Sequence, residues 1–305
     1  MPQIIDDKSE HCIPFILECL EEHRRKYDGG EEVPPFFLGL NGVQGAGKTT
    51  LVSTLHNTLT TSYPLITTAI VSIDDFYLTH EDQVALAKSN PTNPILQHRG
   101  QPSTHDIPLL VSTFASLRDG KPSKIPVYDK SAFSGQGDRA PESTWTSVNE
   151  GQEKVQVVVL EGWCVGFRPV SDEALEEKWK RAVAEEKKGS YDGQLGKLKF
   201  EDIKTVNDAL KKYDEVTDMF DAFIHIDAED THYVYDWRLQ QEAALRQSKG
   251  SGMTDEQVIH FVNGYYPAYE IYTDVLRSGV VKDAKGRQLR LVVGKDRRVK
   301  EVHKI

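Results

Sequence analysis

Short apolar runs alternate with longer segments of mixed polarity along this chain, and the alternation predicts strands and helices in succession. The runs are Phe36-Phe37-Leu38-Gly39-Leu40, Ala69-Ile70-Val71-Ser72-Ile73, Val155-Gln156-Val157-Val158-Val159-Leu160, Ala222-Phe223-Ile224-His225-Ile226-Asp227 and Leu289-Arg290-Leu291-Val292-Val293. The third is β-branched and almost uninterrupted, as a strand buried on both faces of a parallel sheet requires. Residues 9–27 instead carry Ile13, Ile16, Leu17 and Leu20 at helical spacing with charges opposite. Further helices are expected over 109–117, 172–188, 203–213, about 231–247 and 255–276. Pro34-Pro35 forces extended backbone ahead of the first strand, and Asn90-Pro91, Asn93-Pro94 and Arg99-Gly100-Gln101-Pro102 mark 88–106 as loop. Residues 125–129 read as a strand and 131–143 as a long polar loop.

Strands alternating with helices imply an α/β fold: a doubly wound, mostly parallel sheet with helices on both faces. Residues 1–33 are expected to be a helical extension packed on the core. Residues 34–305 form the domain itself, with a helical lid or insertion at about 169–221.

The junction after the first strand carries the chemistry. Gly42-Val43-Gln44-Gly45-Ala46-Gly47-Lys48-Thr49 is a complete G-x-x-x-x-G-K-[ST] phosphate-binding loop, and the helix that opens with Thr50 supplies the strand–loop–helix setting the motif needs. Glycines let successive backbone N–H groups converge on one phosphate cluster, and the helix dipole adds positive charge there. Lys48 is expected to neutralise β- and γ-phosphates and the Thr49 hydroxyl to ligate Mg²⁺. The fold is therefore expected to be P-loop NTPase-like, with residues 42–50 binding the nucleotide.

Two acids narrow the class. Asp74 follows the second strand, so it emerges at the same sheet edge as the loop. A kinase needs a carboxylate there to aim an alcohol at the γ-phosphorus, because its loose transition state leaves positioning to do most of the work. Asp75 beside it reads as a turn residue. Glu161, at the end of the third apolar run, is placed to hold Mg²⁺ through water. No Asn-Lys-x-Asp guanine motif is present.

Composition excludes other classes. The 305 residues carry a net charge of −10, which argues against DNA or RNA as partner. No apolar run approaches the roughly 20 residues that cross a bilayer. Asp6, Asp7 and Glu10 do not read as a secretory or transit leader, and Cys12, Cys19 and Cys164 lack metal spacing. A cytoplasmic setting is the expectation. Oligomeric state is not legible.

Several further segments carry a resemblance. Ser72-Ile73-Asp74-Asp75-Phe76-Tyr77, Arg99-Gly100-Gln101-Pro102 with His105-Asp106, and Leu160-Glu161-Gly162-Trp163 resemble the small-molecule kinases that include uridine kinase, pantothenate kinase and phosphoribulokinase. Within that branch, Pro126-Val127-Tyr128-Asp129-Lys130-Ser131, Gly135-Gln136-Gly137-Asp138-Arg139, Trp237-Arg238-Leu239-Gln240-Gln241-Glu242 and Tyr266-Pro267-Ala268-Tyr269 are similar to the plant and fungal D-glycerate 3-kinase type. The resemblance implies ATP as donor, Asp74 as base or alcohol-orienting residue, and Lys48, Thr49 and Glu161 at the phosphates and metal. It also implies that Arg238 belongs to a lid helix whose cations cover the phosphates.

The loops between Asp74 and Glu161 support a small anionic acceptor on their own terms. Arg99, His105, Lys130 and Arg139 would meet a carboxylate, Asp106, Asp129 or Asp138 would accept from hydroxyls, and Tyr128 would line the pocket. D-Glycerate phosphorylated at its 3-hydroxyl is the expected reaction. A pantothenate- or uridine-like acceptor stays open, as does an ATP-binding regulatory protein without turnover, although such a protein has no need of Asp74.

Overall fold

The computed structural model describes residues 6–27, 29, 32–61, 66–250, 252–282 and 285–305. In chain order the elements are α1 (Ser9–Arg25), β1 (Phe36–Gly42), α2 (Lys48–Thr61), β2 (Thr68–Ser72), α3 (His80–Ser89), α4 (Ile107–Arg118), β3 (Ser123–Ile125), β4 (Tyr128–Asp129), β5 (Asp138–Arg139), β6 (Thr146–Val148), β7 (Val157–Gly162), α5 (Asp172–Lys188), α6 (Phe200–Leu210), α7 (Asp214–Thr217), β8 (Ala222–Ala228), α8 (Tyr233–Lys249), α9 (Asp255–Ser278), β9 (Gln288–Val293) and β10 (Val299–Lys304).

Six strands make the main sheet in the order β10-β9-β8-β1-β7-β2. Every neighbouring pair runs parallel except β9 and β10. All residues of β1 and β8 are buried, as central strands covered on both faces must be. The doubly wound α/β architecture expected from the apolar runs is present. Leu40 of β1 and Ser72 of β2 both stand opposite Glu161 of β7. That register brings the phosphate loop, Glu161 and the turn carrying Asp74 out at one edge of the sheet.

One apolar core joins the layers. Helix α1 contributes Cys12, Phe15, Ile16, Cys19 and Leu20 to it, and α5 contributes Leu175 and Ala182. The 169–221 segment is also tied to α9 by polar contacts: Glu270 accepts the backbone N–H groups of Gln194 and Leu195 at 2.9 and 2.8 Å and the hydroxyl of Tyr191.

Several local expectations change. The second strand stops at Ser72, and Ile73–Phe76 is a 3₁₀ turn that lifts Asp74 and Asp75 off the sheet. The 125–129 strand splits between β3, which pairs with β6 beyond the polar loop, and β4, which pairs with β5 inside it. Ladders of two and three residue pairs leave no periodicity to read. Helix α3, with its Thr79 cap, occupies a segment where the sequence pattern predicts no element ahead of the 88–106 loop, because only Gln83 of it is buried. Helix α6 ends at Leu210, before α7. Strand β10 is exposed along most of its length and so carries no apolar signal. Among the described residues no helix is long and apolar enough to cross a membrane.

Candidate active site

The loop between β1 and α2 is held in shape by glycine and by partners from distant segments. Gly45 and Gly47 have φ of 86° and 98°, in the left-handed region. A Cβ on Gly45 would also meet the Trp237 Cβ at 2.5 Å, so that position excludes a side chain twice over. The Gln44 N–H donates to the Tyr269 hydroxyl at 3.3 Å, and Arg297 Nε donates to the Gly45 carbonyl at 2.7 Å. Val43 and Ala46 are buried, Thr50 is half-buried and Thr49 is exposed. Lys48 folds back over the loop and donates from Nζ to the Gly42 carbonyl at 2.6 Å and the Val43 carbonyl at 3.4 Å. Burial pushes its ammonium below the usual lysine range, against the pull of Glu161 and Asp74.

Asp74 sits across from this loop. Its Oδ2 lies 2.6 Å from the Lys130 ammonium, and its carboxylate also accepts from the Tyr77 phenol. Burial works against its charge, but Lys130, His105 and Tyr77 outweigh burial and hold the carboxyl below its ordinary range. About a quarter of the Asp74 side chain remains open to solvent, at 26% exposure, so a small molecule can reach it. Asp75 instead accepts the Tyr128 N–H at 3.1 Å, and burial raises its pKa. It fastens β4 to the turn. Glu161 and Thr49 make no side-chain hydrogen bond among the described residues.

His105 is buried behind Asp74. Its ring stacks on Tyr77 with centroids 4.5 Å apart, and its Nδ1 lies 2.8 Å from the Tyr213 hydroxyl. Burial pushes its pKa down to about 4, although the Asp74 charge pulls the other way. The imidazole is therefore neutral near pH 7.

The other loop cations have protein partners. Arg99 donates to the Gly135 carbonyl at 2.9 Å, to the Gln136 carbonyl, and to the Lys130 carbonyl at 3.5 Å, with its guanidinium 5.6 Å over the Tyr128 ring. Arg139 donates to the Tyr77 carbonyl and to Asp106 Oδ2, both at 3.0 Å. Asp106 also caps α4 by accepting the Leu109 N–H at 3.0 Å. Tyr128 is buried and packs edge-on against Tyr77 at 5.4 Å. The structure thus gathers Lys48, Glu161, Asp74, Lys130 and His105 at one place. It ties Arg99, Arg139 and Asp106 into the loops around them. Arg238, on α8, donates to Gln241 at 2.9 Å, faces Glu242 at 3.7 Å and lies 5.2 Å over the Phe261 ring. Its charge is felt at Tyr265 and Tyr269.

Among the described residues no group of three or more His, Cys, Asp or Glu side chains could hold a metal ion by itself. One hydroxyl and one or two carboxylates suit Mg²⁺ that arrives with phosphates and keeps several waters. Thr49 and Glu161 fit that donor set.

Tyr77, Tyr213, Tyr269 and Arg297 are participants that the sequence did not single out. Tyr77 and Tyr269 each stood at the end of a segment carrying the family resemblance. Tyr213 and Arg297 gave no signal, being distant in sequence from everything they touch.

Residues 37–174 match the model of the phosphoribulokinase/uridine kinase family. The chloroplastic D-glycerate 3-kinase of Arabidopsis thaliana is 39% identical over 274 residues, which cover 87% of this chain but 54% of the plant protein. The chain thus spans about half the length of that relative. The uncharacterized kinase mug58 of Schizosaccharomyces pombe is 40% identical over 273 residues, covering 89% of this chain and 91% of the yeast protein. The D-glycerate 3-kinase of Cryptococcus neoformans var. grubii shares the fold with a TM-score of 0.88 and 35% identity, over 99% of this chain and 100% of that one.

Proposed function

Because this chain belongs to the phosphoribulokinase/uridine kinase family of kinases, we propose that it transfers the γ-phosphoryl group of ATP, with Mg²⁺, to the 3-hydroxyl of D-glycerate. The observation that carries the reading is the placement of Asp74: ionised, partly open, and beside a phosphate loop whose Lys48 feels its charge.

In this reading the loop N–H groups and Lys48 hold the triphosphate. Thr49 and Glu161 would hold Mg²⁺, which supplies positive charge against the phosphate oxygens. Asp74 accepts a hydrogen bond from the acceptor hydroxyl and aims it at the γ-phosphorus. A modest base suffices, since the proton leaves late in a loose transition state. Lys130 supplies the cation for the acceptor carboxylate. Its ammonium already pairs with one carboxylate here and, at 59% exposure, is free to shift to a second. Arg99, Arg139 and Asp106 act by holding the loops that carry Lys130 and Tyr128. Arg238 is the lid cation that closes over the transferring group. The free, buried cysteines Cys12, Cys19 and Cys164 suit a reducing cytoplasm.

The test is an ADP-release assay on purified protein with Mg-ATP and, in turn, D-glycerate, L-glycerate, pantothenate, uridine, ribulose 5-phosphate or water. Turnover with D-glycerate well above the water rate is expected. Turnover confined to another acceptor would reassign the substrate, and none above water would leave a nucleotide binder without transfer.

A further inference from the structure

The side chain of the 169–221 segment that meets His105 is Tyr213. Tyr213 follows α6 and is 5% exposed. Its oxygen accepts the backbone N–H of Ser103 at 3.2 Å. With that donor on its oxygen, the phenol's own proton still needs an acceptor. The acceptor within reach among the described residues is His105 Nδ1, at 2.8 Å. Donation therefore runs from the Tyr213 O–H to Nδ1, and the single proton of the neutral ring resides on Nε2.

That Nε2–H has no partner among the described residues, although His105 is only 4% exposed. A buried N–H left unpaired is costly, and natural folds keep few of them. This one belongs to a ring stacked on Tyr77, whose phenol binds Asp74, and the Asp74 charge acts on the ring itself. The ring that carries the orphan donor is within reach of the charge on the carboxylate proposed to orient the alcohol.

We propose that Tyr213 is a positioning residue that fixes the Nε2–H tautomer of His105, so that His105 donates to an oxygen of the acceptor substrate next to Asp74. The proposal rests on the kinase reading of this site and deepens it by naming an acceptor class: small alcohols with a second oxygen beside the reacting hydroxyl. Because burial keeps the imidazole uncharged near neutral pH, it adds a donor without a second cation beside Lys130. A site built to donate to an oxygen rejects analogues that lack it, since the donor is then left unpaired. The 169–221 segment thereby shapes acceptor choice.

Two measurements test this. Two-bond ¹H–¹⁵N NMR of the free protein, labelled at histidine and assigned with His105→Gln, reads the tautomer without any substrate. Nε2–H is expected in the wild type and a mixture in Tyr213→Phe; an Nδ1–H wild type would overturn the proposal. Steady-state kinetics then use whichever acceptor the ADP-release assay identifies. Tyr213→Phe keeps the ring and is expected to raise the acceptor KM by about tenfold, the worth of one buried hydrogen bond, while the KM for ATP moves less than about twofold. His105→Gln, whose amide nitrogen falls near the Nε2 position, should retain more acceptor affinity than His105→Asn, whose amide falls near Nδ1. An unchanged acceptor KM in Tyr213→Phe, or equal losses in both His105 variants, would reduce the pair to packing. Absence of any acceptor would sink the kinase reading and leave the tautomer measurement standing.

Discussion

Arg297 donates from Nε to the carbonyl oxygen of Gly45 across 2.7 Å, with its guanidinium 5.4 Å over the Trp237 ring. A phosphate loop works only if its N–H groups face inward, so a donor that holds a carbonyl outward stabilises the working shape. Arg297 is itself held in the left-handed region at φ 65°, and its carbonyl accepts from the buried Lys8 ammonium at 2.6 Å. Arg297→Ala is expected to raise the KM for ATP by about 10- to 100-fold, the range for one buried charged hydrogen bond, with little change in the acceptor KM. Unchanged ATP kinetics would mean that the loop keeps its shape unaided.

Asp74→Asn removes the carboxylate charge and keeps its size. ATP affinity, measured by calorimetry, should stay within about threefold, while kcat falls by about 10²–10⁴, the usual worth of a positioned base. Full activity in the variant would take Asp74 out of the mechanism.

Lys130→Gln addresses the pH profile. Burial alone would raise the Asp74 carboxyl, and Lys130 leads the groups that bring it below the ordinary range. Without the ammonium its pKa should rise, so the acid limb of kcat/KM moves to higher pH and the acceptor KM increases. A limb that stays in place would show that the Lys130–Asp74 pair is not part of the working enzyme.

Stability has its own pH dependence, set at the end of β8. Asp227 is 2% exposed and accepts from Arg277 Nε and Arg290 Nε, both at 2.8 Å. Burial opposes its charge, but the two guanidiniums prevail and lower its pKa. Its contribution is present above the ordinary carboxylate range and is lost as pH falls through the depressed value. His225 acts earlier. Burial puts its pKa at about 4 against an ordinary 6.5, so over that window the unfolded chain takes up a proton that the native ring refuses. Urea unfolding is expected to show stability falling between these pH values, and His225→Gln should flatten the fall. Parallel pH slopes for variant and wild type would assign the loss to other groups.

The sheet was legible because each of its five parallel strands is an apolar run long enough to stand out. Strand β10 was not, since its residues face solvent. The same contrast divides the site. Gly42 to Thr49 form a contiguous motif, and Asp74 and Glu161 were found by asking which residues leave the sheet at the loop's edge. Arg99 and Arg139 read as carboxylate clamps because a cation in a polar loop is the natural partner of an anion. Irregular backbone has carbonyls to satisfy as well, and here those guanidiniums meet them. Tyr213 and Arg297 were invisible for a different reason. Each acts through contacts far away in sequence, which leave no period and no motif.

Lys8 and Arg297 are 289 positions apart, yet one bond between them backs the turn that grips Gly45. The Gly-rich motif leaves the ribosome 252 residues ahead of the arginine that braces it. Nucleotide should therefore contribute little to early stages of folding and should stabilise chiefly the finished molecule.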